Sequence, residues 1–158
     1  MQKKHDHTLD LPGRYYNDSR FSLHQGSSPD YIKEMTSSIF CLAPLGYAVW
    51  NFRLYESIIC GCIPVILADN VELPFEKDLD YRTFSVKVLE TQAHLLGNIL
   101  ASIPAETIRQ KQAALKKVWK RFSYQSPTEE GDAFSGLLDQ LAAHAKRPYQ
   151  PAAKSYWL

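Results

Sequence analysis

The sequence predicts an α/β fold, in which helices flank a parallel sheet and further helices follow it. Two short apolar runs, SIFCLA at 38–43 and IPVILA at 63–68, have the length and composition of buried strands. A helical segment separates them, so strand, helix and strand follow one another within about 30 residues. Because such a connection passes over one face of the sheet, the two strands are predicted to run parallel. Helical periodicity dominates the rest of the chain, which is the order of an α/β sandwich with extra helices.

The overall composition is that of a globular protein. The chain has 158 residues, of which 45% are hydrophobic, and a formal net charge of +1. This length suits one domain with a sizeable core. A nearly neutral charge argues against nucleic acid as a partner held by bulk positive charge.

No membrane span or secretory signal is predicted within the chain. The longest apolar stretch, at 58–68, is interrupted by Gly61 and Pro64 and is shorter than the ~20 residues of a membrane span. The first residues are basic, but no apolar segment follows them, as a secretory signal would require. If the protein acts in the secretory pathway, its targeting segment is expected to lie outside this chain.

The first part of the chain is predicted from its breaks and apolar positions. Residues 1–19 are polar and rich in turn formers, which favours a flexible N-terminal segment. A short strand is predicted at 20–25, before a Gly-Ser-Ser-Pro break. A helix is predicted over 29–36, with proline in its first turn and three larger side chains on one side. These three residues are Tyr31, Ile32 and Met35.

Asn51 is predicted to cap a helix over about 52–60 that Gly61 ends. Asparagine accepts hydrogen bonds from the free N–H groups of a first turn, and glycine adopts the left-handed conformation that follows a last turn. A third strand is predicted at 83–88.

Three helices are predicted at 91–101, 104–122 and 132–145, the last of them capped by Asp132. The second has apolar positions at helical spacing, namely Ile108, Leu115, Val118, Trp119 and Phe122. The third has Phe134, Leu137, Leu138 and Leu141 at such spacing, which predicts that these side chains face the core. The predicted organisation is therefore one domain over 20–145 and a C-terminal tail over 146–158.

The cysteines and histidines do not predict a metal site. Cys41, Cys60 and Cys62 are odd in number and lack the spacing of zinc ligands. They are interpreted as small, buried hydrophobic side chains. The five histidines are scattered along the chain, and only two of them, close to the N-terminus, are near each other in sequence.

Candidate ligand-binding residues lie where the predicted helix 52–60 begins. In an open α/β sheet, ligands bind beyond the carboxyl ends of the strands and close to helix N-termini. Arg53 is in the first turn, where the helix dipole disfavours a cation unless an anion binds there, and its guanidinium suits a phosphate or diphosphate. Glu56 can accept hydrogen bonds from ribose hydroxyls, and Gly46 would let the loop backbone approach the ligand. Alternatively, Arg53 and Glu56 form an ordinary ion pair on a solvated helix face.

An ordered series of motifs occupies residues 37–88, SSIFCLAPLGYAVWNFRLYESIICGCIPVILADNVELPFEKDLDYRTFSVKV. The series contains S-x-F-C-L-x-P-x-G, an arginine three residues before a glutamate, G-C-I-P-V-I, D-N, L-P-F and F-S-V. It resembles the signature of the exostosin-like glycosyltransferases. The segments SLHQG, DYIKEM and DAFSGLL extend the resemblance over most of 20–140.

The resemblance implies a GT-B architecture, in which the active site lies between two Rossmann-like lobes. This chain corresponds to the C-terminal lobe, which binds the nucleotide-sugar donor. The implied reaction is inverting transfer from a nucleotide sugar, usually a UDP-sugar, to a glycan acceptor. Arg53 would contact the diphosphate and Glu56 the ribose, with no metal cofactor expected in this lobe. The resemblance also implies that the full-length form acts on the lumenal side of the Golgi membrane.

Further candidates carry weaker predictions. Many relatives have a serine hydroxyl just before the arginine, so Asn51 either replaces that phosphate donor or the contact is lost. Asp69, at the end of a strand, is the best local candidate for the catalytic base, with turn capping as the alternative. Tyr47 and Trp50 would either stack on a base or sugar or anchor the loop, and His24 is predicted at the same edge of the sheet.

Three functions stay open at this level. The first is the donor-binding part of a glycosyltransferase. The second is a non-catalytic fragment or scaffold that binds a nucleotide sugar or a second glycosyltransferase chain without turnover, because the expected N-terminal lobe, with much of the acceptor site, is absent from these residues. The third is an unrelated nucleotide-binding α/β domain, which is disfavoured because no glycine-rich phosphate-binding motif follows a predicted strand.

Overall fold

A computed structural model of the chain describes residues 19–22, 28–44 and 51–146. Strands β1, β2 and β3 form a parallel sheet in that order and comprise Phe40–Pro44, Ile63–Leu67 and Val86–Lys87. The α-helices of the described residues are α1 (Tyr31–Ser37), α2 (Phe52–Ile59), α3 (Leu96–Ala101), α4 (Ala105–Val118) and α5 (Ala133–Ala145). The predicted α/β class and the parallel strand–helix–strand unit are therefore confirmed.

Contacts divide the chain into two compact units, Met1–Trp119 and Lys120–Leu158. The sheet and α1 to α4 belong to the first unit, and α5 belongs to the second. The predicted flexible segment 1–19 and tail 146–158 lie almost entirely outside the described residues. The predicted domain over 20–145 stays a prediction.

Strand β2 is the centre of the sheet, and all five of its residues are buried. It pairs with β1, where Phe40 lies opposite Ile63, and with β3, where Val65 lies opposite Val86. A continuous apolar sequence is typical of a parallel strand that is covered on both faces. On one face its side chains contribute to a core cluster of Val65, Leu67, Val88, Ala93 and Leu96.

Cys41 and Cys62 are buried as interpreted, but they form a disulfide that sequence analysis did not predict. Their Cα atoms are 5.7 Å apart, and Cys60 keeps a free thiol. Cys62 directly precedes β2, and in the register of the two strands Cys41 lies opposite Pro64, so the disulfide joins the chain just before β2 to the second residue of β1. The disulfide lies in a second buried cluster with Met35 of α1.

Asn51 joins β1 to the start of α2. Its Oδ1 accepts a hydrogen bond from the Arg53 N–H at 2.8 Å, and its Nδ2 donates to the carbonyl of Pro44. Gly61 has a φ of +75° directly after the C-terminal end of α2. Both predicted boundaries of this helix are confirmed, because each depends on a local backbone requirement.

Two predicted strands differ from the structure. Residues 20–22 form no strand, and residues 23–25 lie outside those described. The third strand comprises Val86–Lys87 alone, because Tyr81–Thr83 forms a 3-10 turn that Asp80 caps through the Arg82 N–H at 3.1 Å. The predicted first helix is confirmed as α1, although Ile32 is 59% exposed rather than packed.

The helices predicted at 104–122 and 132–145 are present as α4 and α5. The helix predicted at 91–101 is divided into a 3-10 helix and an α-helix. Glu90–Leu95 forms a 3-10 helix before α3, and α4 continues as a 3-10 turn over Trp119–Phe122. Leu115 and Phe122 are buried as predicted, but Trp119 is 39% exposed. No helix among the residues described here is long and apolar enough to cross a membrane.

The predicted core face of α5 is wrong, because its four large apolar side chains are 42–57% exposed. The buried residues of this helix are small, namely Ala133 and Gly136. The Arg121 guanidinium lies over Gly136, where a Cβ atom would come within 3.2 Å of its Nη1. Arg121 also approaches Asp139 at 3.7 Å. The side chain that lies against Gly136, on the buried face of α5, is therefore the Arg121 cation.

Asp132 is predicted to make the second unit sensitive to acid. This residue is fully buried and accepts hydrogen bonds from the N–H groups of Ser135 at 2.8 Å, Glu129 at 3.1 Å and Gln125 at 3.4 Å. These bonds, led by that of Ser135, hold the pKa of Asp132 below its ordinary value of 3.8. A lowered pKa in the folded state stabilises the fold above the ordinary value, and this contribution is lost as pH falls through the lowered one.

We therefore expect hydrogen exchange in α5 to accelerate between about pH 5 and 2, after correction for intrinsic exchange rates. Asp132→Asn keeps an acceptor without the titration and should flatten this dependence. Asp139→Asn, at an exposed carboxylate, is the control and should preserve it. An unchanged pH dependence in Asp132→Asn would contradict the prediction.

Candidate functional site

The candidate residues that the structure describes lie at the carboxyl edge of the sheet. Pro44, at the end of β1, is opposite Leu67, at the end of β2. Asn51 binds the carbonyl of Pro44 and starts α2, while Asp69 lies two residues after the end of β2. Parallel strands bring the start of α2 and the turn after β2 to one edge, which is where α/β folds bind ligands.

Four candidates, His24, Gly46, Tyr47 and Trp50, lie outside the described residues. Their predicted contacts with a ligand stay predictions. The site is therefore built from Asn51, Arg53, Glu56 and Asp69 and from the described residues around them.

Arg53 is exposed in the first turn of α2, and its backbone belongs to the cap. Its N–H donates to Asn51, and its carbonyl accepts a hydrogen bond from the Ser57 hydroxyl. Among the residues described, the guanidinium has no hydrogen-bond or ion-pair partner, so the alternative Arg53–Glu56 ion pair is not formed. A cation at this helix end gains most from an anion bound beside it.

Glu56 is bonded to a residue that sequence analysis did not select. The Tyr31 hydroxyl donates to Oε2 of Glu56 at 2.5 Å, which joins α1 to α2. Burial, this hydrogen bond and the carboxylate charge raise the pKa of Tyr31 to about 12. The two residues are 25 positions apart, and no spacing rule connects them. The sequence signals for Tyr31 were its place in the segment DYIKEM and its position on one side of the predicted helix 29–36, neither of which indicated a contact with Glu56.

Asp69 is engaged in a reciprocal contact with Glu90. The Asp69 N–H donates to Oε1 of Glu90 at 3.1 Å, and the Glu90 N–H donates to Oδ2 of Asp69 at 3.3 Å. This pair joins the turn after β2 to the 3-10 helix that follows β3, a structural role that sequence analysis missed for Glu90. The geometry favours the turn-holding role of Asp69, and its assignment as a catalytic base stays a prediction.

The described residues offer no ready metal centre. Nowhere in 19–22, 28–44 and 51–146 do three or more His, Cys, Asp or Glu side chains lie close enough together to hold an ion. The charged groups at the start of α2 are instead one guanidinium and one carboxylate, on successive turns. A guanidinium matches phosphate oxygens, and a carboxylate accepts hydrogen bonds from hydroxyl groups.

Comparison with known proteins connects this site to a family. The exostosin GT47 domain matches residues 3–103. A probable glucuronosyltransferase of Oryza sativa subsp. japonica is 38% identical over 130 residues, which are 81% of this chain and 31% of that protein. A probable beta-1,4-xylosyltransferase of Arabidopsis thaliana is also 38% identical over 130 residues, covering 81% of this chain and 32% of that protein.

A further relative, a probable glucuronoxylan glucuronosyltransferase of Arabidopsis thaliana, is 33% identical over 156 residues, or 89% of this chain and 35% of that protein. The chain thus spans about a third of the length of these curated relatives. The matched residues include the sheet, α1, α2 and the candidate site.

Proposed function

Because the chain belongs to the exostosin GT47 family of glycosyltransferases, we propose that it is the donor-binding lobe of a GT-B enzyme. The enzyme transfers a sugar with inversion from a nucleotide sugar, in the first place a UDP-sugar, to a glycan acceptor. The observation that carries this proposal is the placement of an unengaged Arg53 guanidinium and the Glu56 carboxylate on successive turns at the start of α2, on the ligand-binding edge of the sheet.

Arg53 would bind the donor diphosphate. The first turn of α2 contributes the positive end of the helix dipole, and the guanidinium adds a fork of donors that matches two phosphate oxygens. During transfer, negative charge develops on the leaving diphosphate, and a fixed cation stabilises that charge. The Asn51 side chain makes hydrogen bonds to Pro44 and Arg53. It therefore caps the start of α2 rather than replacing the serine hydroxyl that donates to phosphate in relatives.

Glu56 would bind the donor ribose. Its Oε2 accepts the Tyr31 hydroxyl, and among the described residues Oε1 accepts no hydrogen bond. An ionised carboxylate has about four acceptor positions, so it can take the vicinal ribose hydroxyls while it keeps Tyr31. This arrangement gives a nucleotide a diphosphate contact and a ribose contact on one helix.

The wider context of the enzyme is also part of the proposal. The relatives are named for glucuronosyl and xylosyl transfer, so UDP-glucuronate and UDP-xylose are the first donors to test. The Cys41–Cys62 disulfide suits an oxidising compartment, which supports a place in the Golgi lumen for the membrane-bound enzyme. Asp69 remains the candidate base. A scaffold that binds the donor or a second glycosyltransferase chain without turnover is the alternative.

Calorimetric titration of the purified chain with UDP tests the proposal. We expect UDP to bind with a Kd of about 1 μM to 1 mM, and uridine at least about tenfold more weakly, because it lacks the diphosphate. EDTA should leave the Kd unchanged if Arg53 provides the positive charge. Absence of UDP binding by a well-folded chain would contradict donor binding and favour the scaffold that recognises a partner chain.

A further inference from the structure

Tyr31 connects the donor site to the buried cluster that contains the disulfide. It packs against the cluster formed by Met35, Cys41 and Cys62, and its hydroxyl donates to Glu56 on α2. Because the disulfide links β1 to the start of β2, the ring rests on a covalently joined part of the sheet. The phenol is thus held at one end by packing and at the other by a hydrogen bond.

The helix that carries Tyr31 is itself held at its start. The Ser28 hydroxyl donates to Oε1 of Glu34 at 3.2 Å, and the Tyr31 N–H donates to the carbonyl of Ser28 at 3.3 Å. An aromatic side chain has only two rotatable bonds, so packing fixes its hydroxyl well. A glutamate side chain is flexible, and fixing it costs about 1–2 kcal/mol in lost rotamer freedom. A rigid donor can therefore orient Glu56 before the ligand binds.

We propose that Tyr31 is a positioning residue for the donor ribose. Its hydroxyl holds Oε2 of Glu56 and leaves Oε1 to accept hydrogen bonds from the ribose hydroxyls. This inference rests on the proposed function, because it assumes that Glu56 meets a ribose. Since the pKa of Tyr31 is raised to about 12, its hydroxyl keeps its proton and remains a donor at neutral pH. This orientation of Glu56 is a different function from the binding of the diphosphate by Arg53.

The preference for UDP over 2′,3′-dideoxy-UDP, measured as a ratio of Kd values, isolates this role. Wild type should prefer UDP about 10- to 100-fold, because the dideoxy compound lacks both hydroxyls that Glu56 binds. In Tyr31→Phe we expect this preference to fall about 3- to 10-fold, while the Kd for 2′,3′-dideoxy-UDP stays within about twofold. Glu56→Gln should reduce the preference further.

Tyr81→Phe is the matched control, because it removes a hydroxyl that donates to the Pro74 carbonyl at 2.8 Å rather than to Glu56. It should leave the preference intact even if it lowers stability. Equal weakening of both ligands in Tyr31→Phe, or an unchanged preference, would overturn the positioning role and leave the donor site standing.

Two further outcomes separate this inference from the proposed function. If wild type binds UDP and its dideoxy analogue equally, the ribose role is overturned while diphosphate binding stands. If wild type binds neither, donor binding itself fails and the positioning role fails with it. Ultraviolet titration supplies a measurement without ligand. Because the chain has nine tyrosines, the Tyr31 ionisation is taken as the difference between each protein and its Tyr31→Phe counterpart. Glu56→Gln should shift this ionisation to lower pH, and an unshifted ionisation overturns the proposed contact.

Discussion

Replacing Arg53 by alanine is expected to weaken UDP binding about 10- to 100-fold, as loss of charge-assisted hydrogen bonds to a diphosphate predicts. The guanidinium is exposed at the start of α2 and has no other partner among the described residues. Its loss should therefore change ligand affinity without removing an internal contact. Calorimetry gives the affinity, and circular dichroism establishes that α2 and the rest of the fold persist.

Two further variants show whether UDP affinity depends on the geometry of the guanidinium or only on positive charge. Arg53→Lys keeps the charge but lacks the planar fork, so we expect an intermediate affinity. Arg109→Ala is a matched control, because Arg109 is exposed on α4, where it pairs with Glu106 at 2.6 Å. It should change the Kd less than about twofold. Equal weakening by Arg53→Ala and Arg109→Ala would show that only the overall charge matters and would contradict a specific diphosphate site.

Removing the disulfide in the double variant Cys41→Ala/Cys62→Ala is expected to lower the free energy of unfolding by about 3 kcal/mol. The two cysteines are 21 positions apart, and the cross-link restricts the unfolded chain by closing this loop. Both are also buried in the cluster with Met35, so the lost sulfur atoms leave space in the core. Urea unfolding followed by circular dichroism measures the change.

The free thiol of Cys60 provides the control for this experiment. Burial, with a contribution from Glu56, raises its pKa, so the thiol stays protonated at neutral pH and exchanges slowly with the disulfide. Cys60→Ala should change the free energy of unfolding by less than about 1 kcal/mol. Dithiothreitol should lower the stability of the wild type and leave the double variant unaffected. A wild type that is insensitive to the reductant would contradict a stabilising disulfide.

The disulfide and the donor site are connected through Tyr31, so the two experiments bear on each other. Because the ring of Tyr31 packs on this cluster, the double cysteine variant should also lose part of its preference for UDP over the dideoxy analogue. Arg53→Ala should lower the affinity for both nucleotides and leave that preference nearly unchanged. The two variants therefore separate the diphosphate contact from the ribose contact.

The sequence by itself determined the local framework of this protein. The apolar runs predicted β1 and β2, the connecting helix predicted that they are parallel, and Asn51 and Gly61 marked the ends of α2. These features depend on residues a few positions apart, through capping, periodicity and backbone conformation, so they can be predicted without the tertiary fold. The position of Arg53 and Glu56 on the first turns of α2 followed from the same local chemistry.

Only the tertiary structure decided which distant residues meet. The Cys41–Cys62 bond depends on the pairing of β1 with β2. The Tyr31–Glu56 bond depends on where α1 lies relative to α2, and the Asp69–Glu90 contact depends on the turn after β2. The apolar pattern of α5 predicted the wrong buried face: Ala133 and Gly136 are buried, and the Arg121 guanidinium lies against Gly136. Periodicity shows that a helix has two unlike faces, but the space that neighbouring side chains leave decides which face is buried.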